Sequence, residues 1–300
     1  MNGQATRKEN LRCIIYMVIA MAGFAIEDAI IKQLSLSMPI SEILVLIGSG
    51  GLFAFSLMAK TKSVPLLTPN LKKPWFVVRT LSELVAAICF VSAIVFASLS
   101  TSSAIIQATP LAVVLGGALF LKQSVSKGRW ILILAGFLGV LLVIQPGLNN
   151  FNPSALLAVV AVFFLALRDT ITRALSVSIP AITISFWAFF ASFLAGVITI
   201  PFFGPLQPLN FDQLILVFGA TLAGSGAYLA VVLATREGDI AVVAPFRYSR
   251  LVFALGISVL IFNEPVNTAM LVGSAMIVGS GIMMLILRDR PMNLTVKNQS

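Results

Sequence analysis

Eight ionisable residues stand inside long apolar runs of this chain: Glu27, Asp28, Arg79, Glu83, Arg168, Asp169, Arg247 and Arg250. A charge at the depth of a bilayer core costs about 2.5–3.5 kcal/mol on insertion scales unless it meets a partner or a polar cavity. Such residues carry protons, hold a charged part of a substrate, or lock helices together as ion pairs. The chain has no histidine, and its two cysteines, Cys13 and Cys89, both sit in apolar runs. Histidine-based acid–base and nucleophilic chemistry, zinc sites and a disulfide framework are thereby removed. No phosphate-binding loop and no nucleophile–base constellation is present, so an enzyme, a cofactor and direct nucleotide drive are not expected.

Spacing sorts these residues. Glu27–Asp28 and Arg168–Asp169 each lie midway through an apolar run. Glu27 opposite Arg168, or Asp28 facing Asp169, are natural geometries, serving either a substrate or proton site or a clasp between two helices. Arg79 and Glu83 are four apart, share one helix face and can pair with each other. Arg247, Tyr248 and Arg250 follow Pro245, which removes a backbone donor and frees a carbonyl. Arg247 and Arg250, three apart, could together hold an anionic or carbonyl-rich ligand group. Pro110, with Gln107 just before it, interrupts another run in the same way. Trp187 and Tyr228 are deep enough for a planar ligand to stack on them, or to pack in a bundle. Trp75 and Trp130 open their runs beside basic residues, as interface anchors do.

The elements that must position these groups follow from composition. Of 300 residues, 59% are hydrophobic and 10% charged, with a mean hydropathy of +1.02. Soluble domains carry roughly 25% charged residues, so a soluble fold lacks its polar shell here. Runs of about 20 apolar residues span a bilayer, and ten are expected: 12–34, 42–59, 74–97, 101–121, 129–146, 154–175, 182–203, 212–234, 239–262 and 268–287. The expectation is an all-α integral membrane protein of ten transmembrane helices, its partners the lipid bilayer and a small-molecule substrate. The net charge of +9 does not point to nucleic acid. Fifteen of the twenty basic residues fall on one side of the spans and only Lys32 on the other, which places both termini in the cytoplasm.

The chain also repeats itself. At an offset of 141 residues, Asp28 aligns with Asp169, Lys32 with Arg173, Ser35 with Ser176, Ser37 with Ser178 and Pro39 with Pro180. The same offset sets Leu121-Lys122-Gln123-Ser124-Val125 against Phe262-Asn263-Glu264-Pro265-Val266. The organisation expected is a tail (1–11), a first repeat (12–147), a second repeat (151–287) and a tail (288–300). Five spans per repeat is an odd number, so the halves must lie in the membrane with opposite topology, an architecture that builds substrate sites between its repeats. Small-residue clusters at Gly48–Gly51 and Gly224–Ala227 point to close helix approach.

With the duplication, the run ends Leu119–Gln123 and Leu260–Pro265, and the segment Ala244–Leu251, the sequence resembles the drug/metabolite transporter superfamily in its ten-helix, two-EamA-repeat branch. The likeness covers residues 12–287. It departs from the family's apolar-run-then-Gly-Glu pattern at Lys122-Gln123 and at Asn263. The resemblance implies a secondary transporter of a small metabolite in a bacterial inner membrane. It implies a riboflavin-like vitamin or cofactor precursor as the first substrate to consider, and export of amino acids or drug-like compounds as the alternative.

Overall fold

The computed structural model describes residues 6–68, 71, 73–120, 125–148, 151–175, 179–237 and 240–286. Lys72, Lys122, Gln123, Ser176, Ser178, Arg288, Arg290 and Lys297, and the side chains of Arg173 and Arg236, lie outside the described residues.

Helix α1 (Arg7–Leu34) opens with a capping box: Thr6 Oγ1 accepts from the Glu9 N–H, and Glu9 accepts from the Thr6 N–H at 2.7 Å. Between Cys13 and Ile26 it is apolar all round, as a helix between lipid and protein must be. Leu11, Ile15 and Ile19 are at least half exposed on one face, while Cys13, Met17 and Ala20 are fully buried on the other. Then follow α2 (Ile40–Thr61), α3 (Pro74–Phe96), the broken pair α4 (Leu99–Ile106) and α5 (Thr109–Phe120), and α6 (Lys127–Ile144). The second half repeats the series as α7 (Ala155–Leu175), α8 (Ala181–Phe203), α9 (Phe211–Glu237), a broken passage, and α12 (Thr268–Ile286). That broken passage consists of α10 (Ile240–Val243), a 3₁₀ turn (Ala244–Tyr248) and α11 (Ser249–Leu260). Among the described residues nine helical stretches, α4 and α5 counting as one, are long and apolar enough to cross a membrane. The broken passage around Pro245 makes the tenth, and no strand occurs among the described residues.

Both interruptions fall where proline places them. Gln107 and Ala108 form the turn ahead of Pro110, and the 3₁₀ turn begins around Pro245. The duplication is visible in who touches whom. Helix α2 packs on α8 and α6 on α12; α1 packs on α9 as α7 packs on α3. Mapping α1–α3 onto α7–α9 turns the α1/α9 contact into the α7/α3 contact and returns α2/α8 and α6/α12 to themselves. That is the behaviour of inverted repeats about a two-fold axis in the membrane plane.

Small residues allow these crossings. A Cβ on Gly139 of α6 would lie 2.7 Å from the Gly273 carbonyl oxygen of α12, and one on Gly273 would lie 2.6 Å from that of Gly139. Gly48 lies against the Phe193 backbone of α8. Loop clamps also recur at the repeat offset. The buried Glu42 accepts from the Gln207 N–H in the α8–α9 loop at 3.2 Å. Its equivalent, Thr183, donates to the Pro65 carbonyl in the α2–α3 loop at 2.9 Å.

We call the side on which α1 begins the near side and the opposite face the far side. On the far side, Glu264 from the α11–α12 loop caps α4. Its carboxylate accepts from the N–H groups of Leu99 and Ser100, both at 2.9 Å, and from the Ser100 hydroxyl at 2.6 Å. These are donors that a helix start leaves without an intrahelical partner. The preceding Asn263 has φ +51°, a left-handed conformation tolerated by Gly and, next best, Asn. That explains how Asn stands where the resemblance leads one to expect Gly. Lys32 adds a second tie, donating to the carbonyls of Ile94 and Val95 at the end of α3 at 2.7 and 3.2 Å. Replacing Glu264 by Ala is expected to cost about 1–2 kcal/mol of stability, with Glu264→Gln losing less. Thermal unfolding of the detergent-purified protein measures both; an unchanged melting temperature for Glu264→Ala would refute the cap.

Candidate functional site

The charges inside the helices gather into two clusters, one on each side of the dyad. In the first, Asp28 of α1, 3% exposed, accepts from Arg250 of α11, Nη2 at 2.6 Å and Nε at 3.2 Å. The guanidinium lies 5.2 Å from the Phe24 ring centroid and 5.4 Å from that of Phe90. Phe24 and Asp28, one turn apart on α1, thus present an aromatic ring and a carboxylate to the same cation.

The second cluster joins α3 to α7. Glu83 bridges two arginines, accepting from Arg168 Nη1 at 2.7 Å and from Arg79 Nη2 at 3.3 Å. Arg168 also donates through Nε to Asp169 at 2.9 Å. Arg79, 2% exposed, donates through Nε to the Thr172 hydroxyl at 3.2 Å, which itself donates to the Arg168 carbonyl. Tyr228 of α9 lies near Glu83, Arg79, Arg168 and Asp169. Its ring packs on Phe55 and Phe189, with centroids 6.1 and 6.2 Å away.

Each cluster is neutral by count: Asp28 with Arg250, and Glu83 and Asp169 with Arg79 and Arg168. Two singles remain. Glu27 is half-buried against Gly224 of α9 and has no hydrogen bond or ion pair among the described residues. Arg247 is half-buried in the 3₁₀ turn, and its side chain likewise has no ion pair among the described residues. The 3₁₀ turn packs against α1, while Glu27 of α1 faces α9, so both singles lie at contacts made by α1.

The Arg79–Glu83 pair forms as its spacing predicts, and Tyr228 comes beside the ionic network. The other expected partnerships are replaced. Arg168 meets Glu83 and its own neighbour Asp169 rather than Glu27, and Asp28 meets Arg250 rather than Asp169. Arg250 thus pairs with Asp28, and Arg247 does not share that carboxylate. Trp187 donates its ring N–H to the Leu66 carbonyl at 3.1 Å and is ringed by Phe76, Phe186 and Phe190. Trp187 thus packs from α8 against the α2–α3 loop. Gln107 donates to the Tyr248 carbonyl at 3.3 Å, linking the two helix breaks. Sequence reasoning missed Phe24, Phe90, Thr172 and Glu42. Phe24 and Thr172 each carry a signal, one turn from a charge on the same face.

Among the described residues the two sides are closed unequally. On the far side α4 packs along α11. Its dyad-related counterpart on the near side, α5 against the 3₁₀ turn, makes no comparable contact among the described residues.

Ten apolar passages in two inverted halves, with balanced charges buried between them, define a multi-pass membrane transporter. The model of the EamA-like transporter family matches twice, at residues 11–145 and 152–286, and the chain belongs to that family. It is 24% identical over 205 residues to an S-adenosylmethionine uptake transporter of Rickettsia conorii, covering 68% of each chain. It is 24% identical over 277 residues to the pseudopaline exporter CntI of Pseudomonas aeruginosa, covering 88% of this chain and 93% of that one. Against a riboflavin transporter of Vibrio cholerae it is 26% identical over 176 residues, 58% of each chain. A solved crystal structure 17% identical in sequence superposes with a TM-score of 0.63 over 93% of this chain and 98% of its own.

Asp28→Asn leaves the Arg250 guanidinium between two rings without its carboxylate, and should cost about 3 kcal/mol or more. The double change Asp28→Asn with Arg250→Gln should regain most of that loss. Melting temperatures of the two singles and the double form the test; additive losses would show that the pair is not coupled.

Proposed function

We propose that this chain is a secondary transporter that carries a small organic metabolite across the bacterial inner membrane by alternating access, its near side and both termini facing the cytoplasm. Arg247 is the group that receives an anionic or carbonyl-rich part of the substrate. The observation that carries this reading is the division of the buried charges: with Arg250 held by Asp28, Arg247 is, among the described residues, the cation left over beside the helix break. An always-charged planar guanidinium suits carboxylates and carbonyl groups alike. The unequal closure of the two sides supports a near-side-open state, from which separation of α4 from α11 would open the other face. The excess of basic residues on the near side supports the orientation.

Two substrate classes fit Arg247. One is a carbonyl-rich planar vitamin of the riboflavin type, supported by the riboflavin-transporting relatives and by the Phe24, Phe90 and Tyr228 rings. The other is an amino-acid-bearing metabolite such as S-adenosylmethionine, supported by the uptake transporters that match over a larger share of the chain. Counterflow in proteoliposomes separates them, with labelled riboflavin, S-adenosylmethionine or an amino-acid mixture outside and the unlabelled compound inside. Saturable exchange of at least one, without nucleotide, is expected. Arg247→Gln should raise its KM roughly tenfold, the value of one charge-assisted hydrogen bond. Wild-type vesicles that exchange none of them faster than protein-free vesicles would refute the substrate reading.

A further inference from the structure

Glu27 lies within the contact between α1 and α9. One turn before it, a Cβ on Gly23 would sit 3.0 Å from the Ala227 Cβ; three residues after it, Ile30 packs near Gly219. Between these contacts the carboxylate rests on Gly224, where any Cβ would collide with it. Gly224 thus makes room for a side chain, as Gly51 does for Phe189 and Gly281 for Tyr248, whereas Gly48, Gly139 and Gly196 admit backbone. The next residue of α9, Ser225, carries a buried hydroxyl without a hydrogen-bond partner among the described residues.

The duplication supplies a direct comparison. At the offset of 141 residues, Glu27 corresponds to Arg168 and Gly224 to Glu83. In the α7/α3 contact these two positions form a closed ion pair, Arg168 to Glu83, at 2.7 Å. In the α1/α9 contact the same two positions hold an acid and no side chain at all. The α7/α3 contact satisfies its charge between its own two helices. The α1/α9 contact keeps a carboxylic acid group with no ion pair or hydrogen bond among the described residues, at a depth where an isolated charge is unfavourable.

We propose that Glu27, lodged against Gly224 between α1 and α9, binds the positively charged group, ammonium or sulfonium, of the transported metabolite. An organic cation is favoured over a metal ion because a calcium-like ion takes six to eight oxygen ligands, and no group of three metal-binding side chains occurs among the described residues. Arg247 and Glu27 then receive opposite ends of a zwitterion, which selects the amino-acid-bearing class over the neutral flavin. The inference rests on the transport reading, but its test does not depend on flux alone.

Glu27→Gln breaks no ion pair, so the variant is expected to fold as the wild type does, unlike Asp28→Asn. Proteoliposomes of wild type, Glu27→Gln and Glu27→Asp would be assayed for S-adenosylmethionine counterflow. In parallel, carbodiimide modification of Glu27 would be followed by mass spectrometry in the presence of S-adenosylmethionine, tetramethylammonium, methylthioadenosine or riboflavin. The two cations should slow modification about fivefold or more, and the two neutral compounds should not. Glu27→Gln should raise the KM for S-adenosylmethionine tenfold or more, and Glu27→Asp by less. Modification at one rate under all conditions, protection by riboflavin, or an unchanged KM in Glu27→Gln each overturns the proposal. Protection by the cations without any flux would leave the site standing and overturn the transport reading. Flux that ignores Glu27 would do the reverse.

Discussion

The ion pair between Asp28 and Arg250 ties the first helix of one repeat to the broken helix of the other, 222 residues away. In hydrocarbon such a pair has no water to fall back on, so either partner alone is a liability and together they dictate how α1 and α11 may approach. The rings of Phe24 and Phe90 close the remaining faces of the guanidinium and bring α3 into the same joint. The charge network on α3 and α7 joins the two repeats a second time, with a different set of residues. What is shared between the halves is the need to neutralise charge at the contact; the residues that do so are not shared.

This explains which features could be read from the chain before its fold was known. Arg79 and Glu83 lie on one helix, where the distance between them is a matter of helical pitch, and they pair as spacing requires. The helix breaks at Pro110 and Pro245 were equally legible, since each proline acts on its own backbone. The partners of Asp28 and Arg168 were not legible in the same way. Which residue a helix presents to its neighbour depends on rotation and tilt, and the repeat alone left several symmetric pairings open. Glu83 prevails over Glu27 as the partner of Arg168 because α7 packs on α3, while α1 packs on α9. Asn263 shows the converse: a departure from the family pattern whose reason lies in a backbone angle.

The lesson extends to aromatic residues. Trp187 sits deep in its run and looks available for stacking, yet the Leu66 carbonyl needs a donor and the indole N–H provides one. Phe24 carries no polar group to advertise it, and it flanks the arginine that holds the halves together.

Gln107 and Tyr248 occupy the same place in the two repeats, and the side chain of one bonds the backbone of the other. A position that meets its own counterpart sits on the axis of the molecule. Two identical copies of a chain could not both donate there, because each would have to give and receive at a single point. Fusing the halves into one gene lifts that restriction, since each copy can then change without its twin. The axis is where a duplicated protein has most to gain by ceasing to be symmetric, and here one half has become the donor and the other the acceptor.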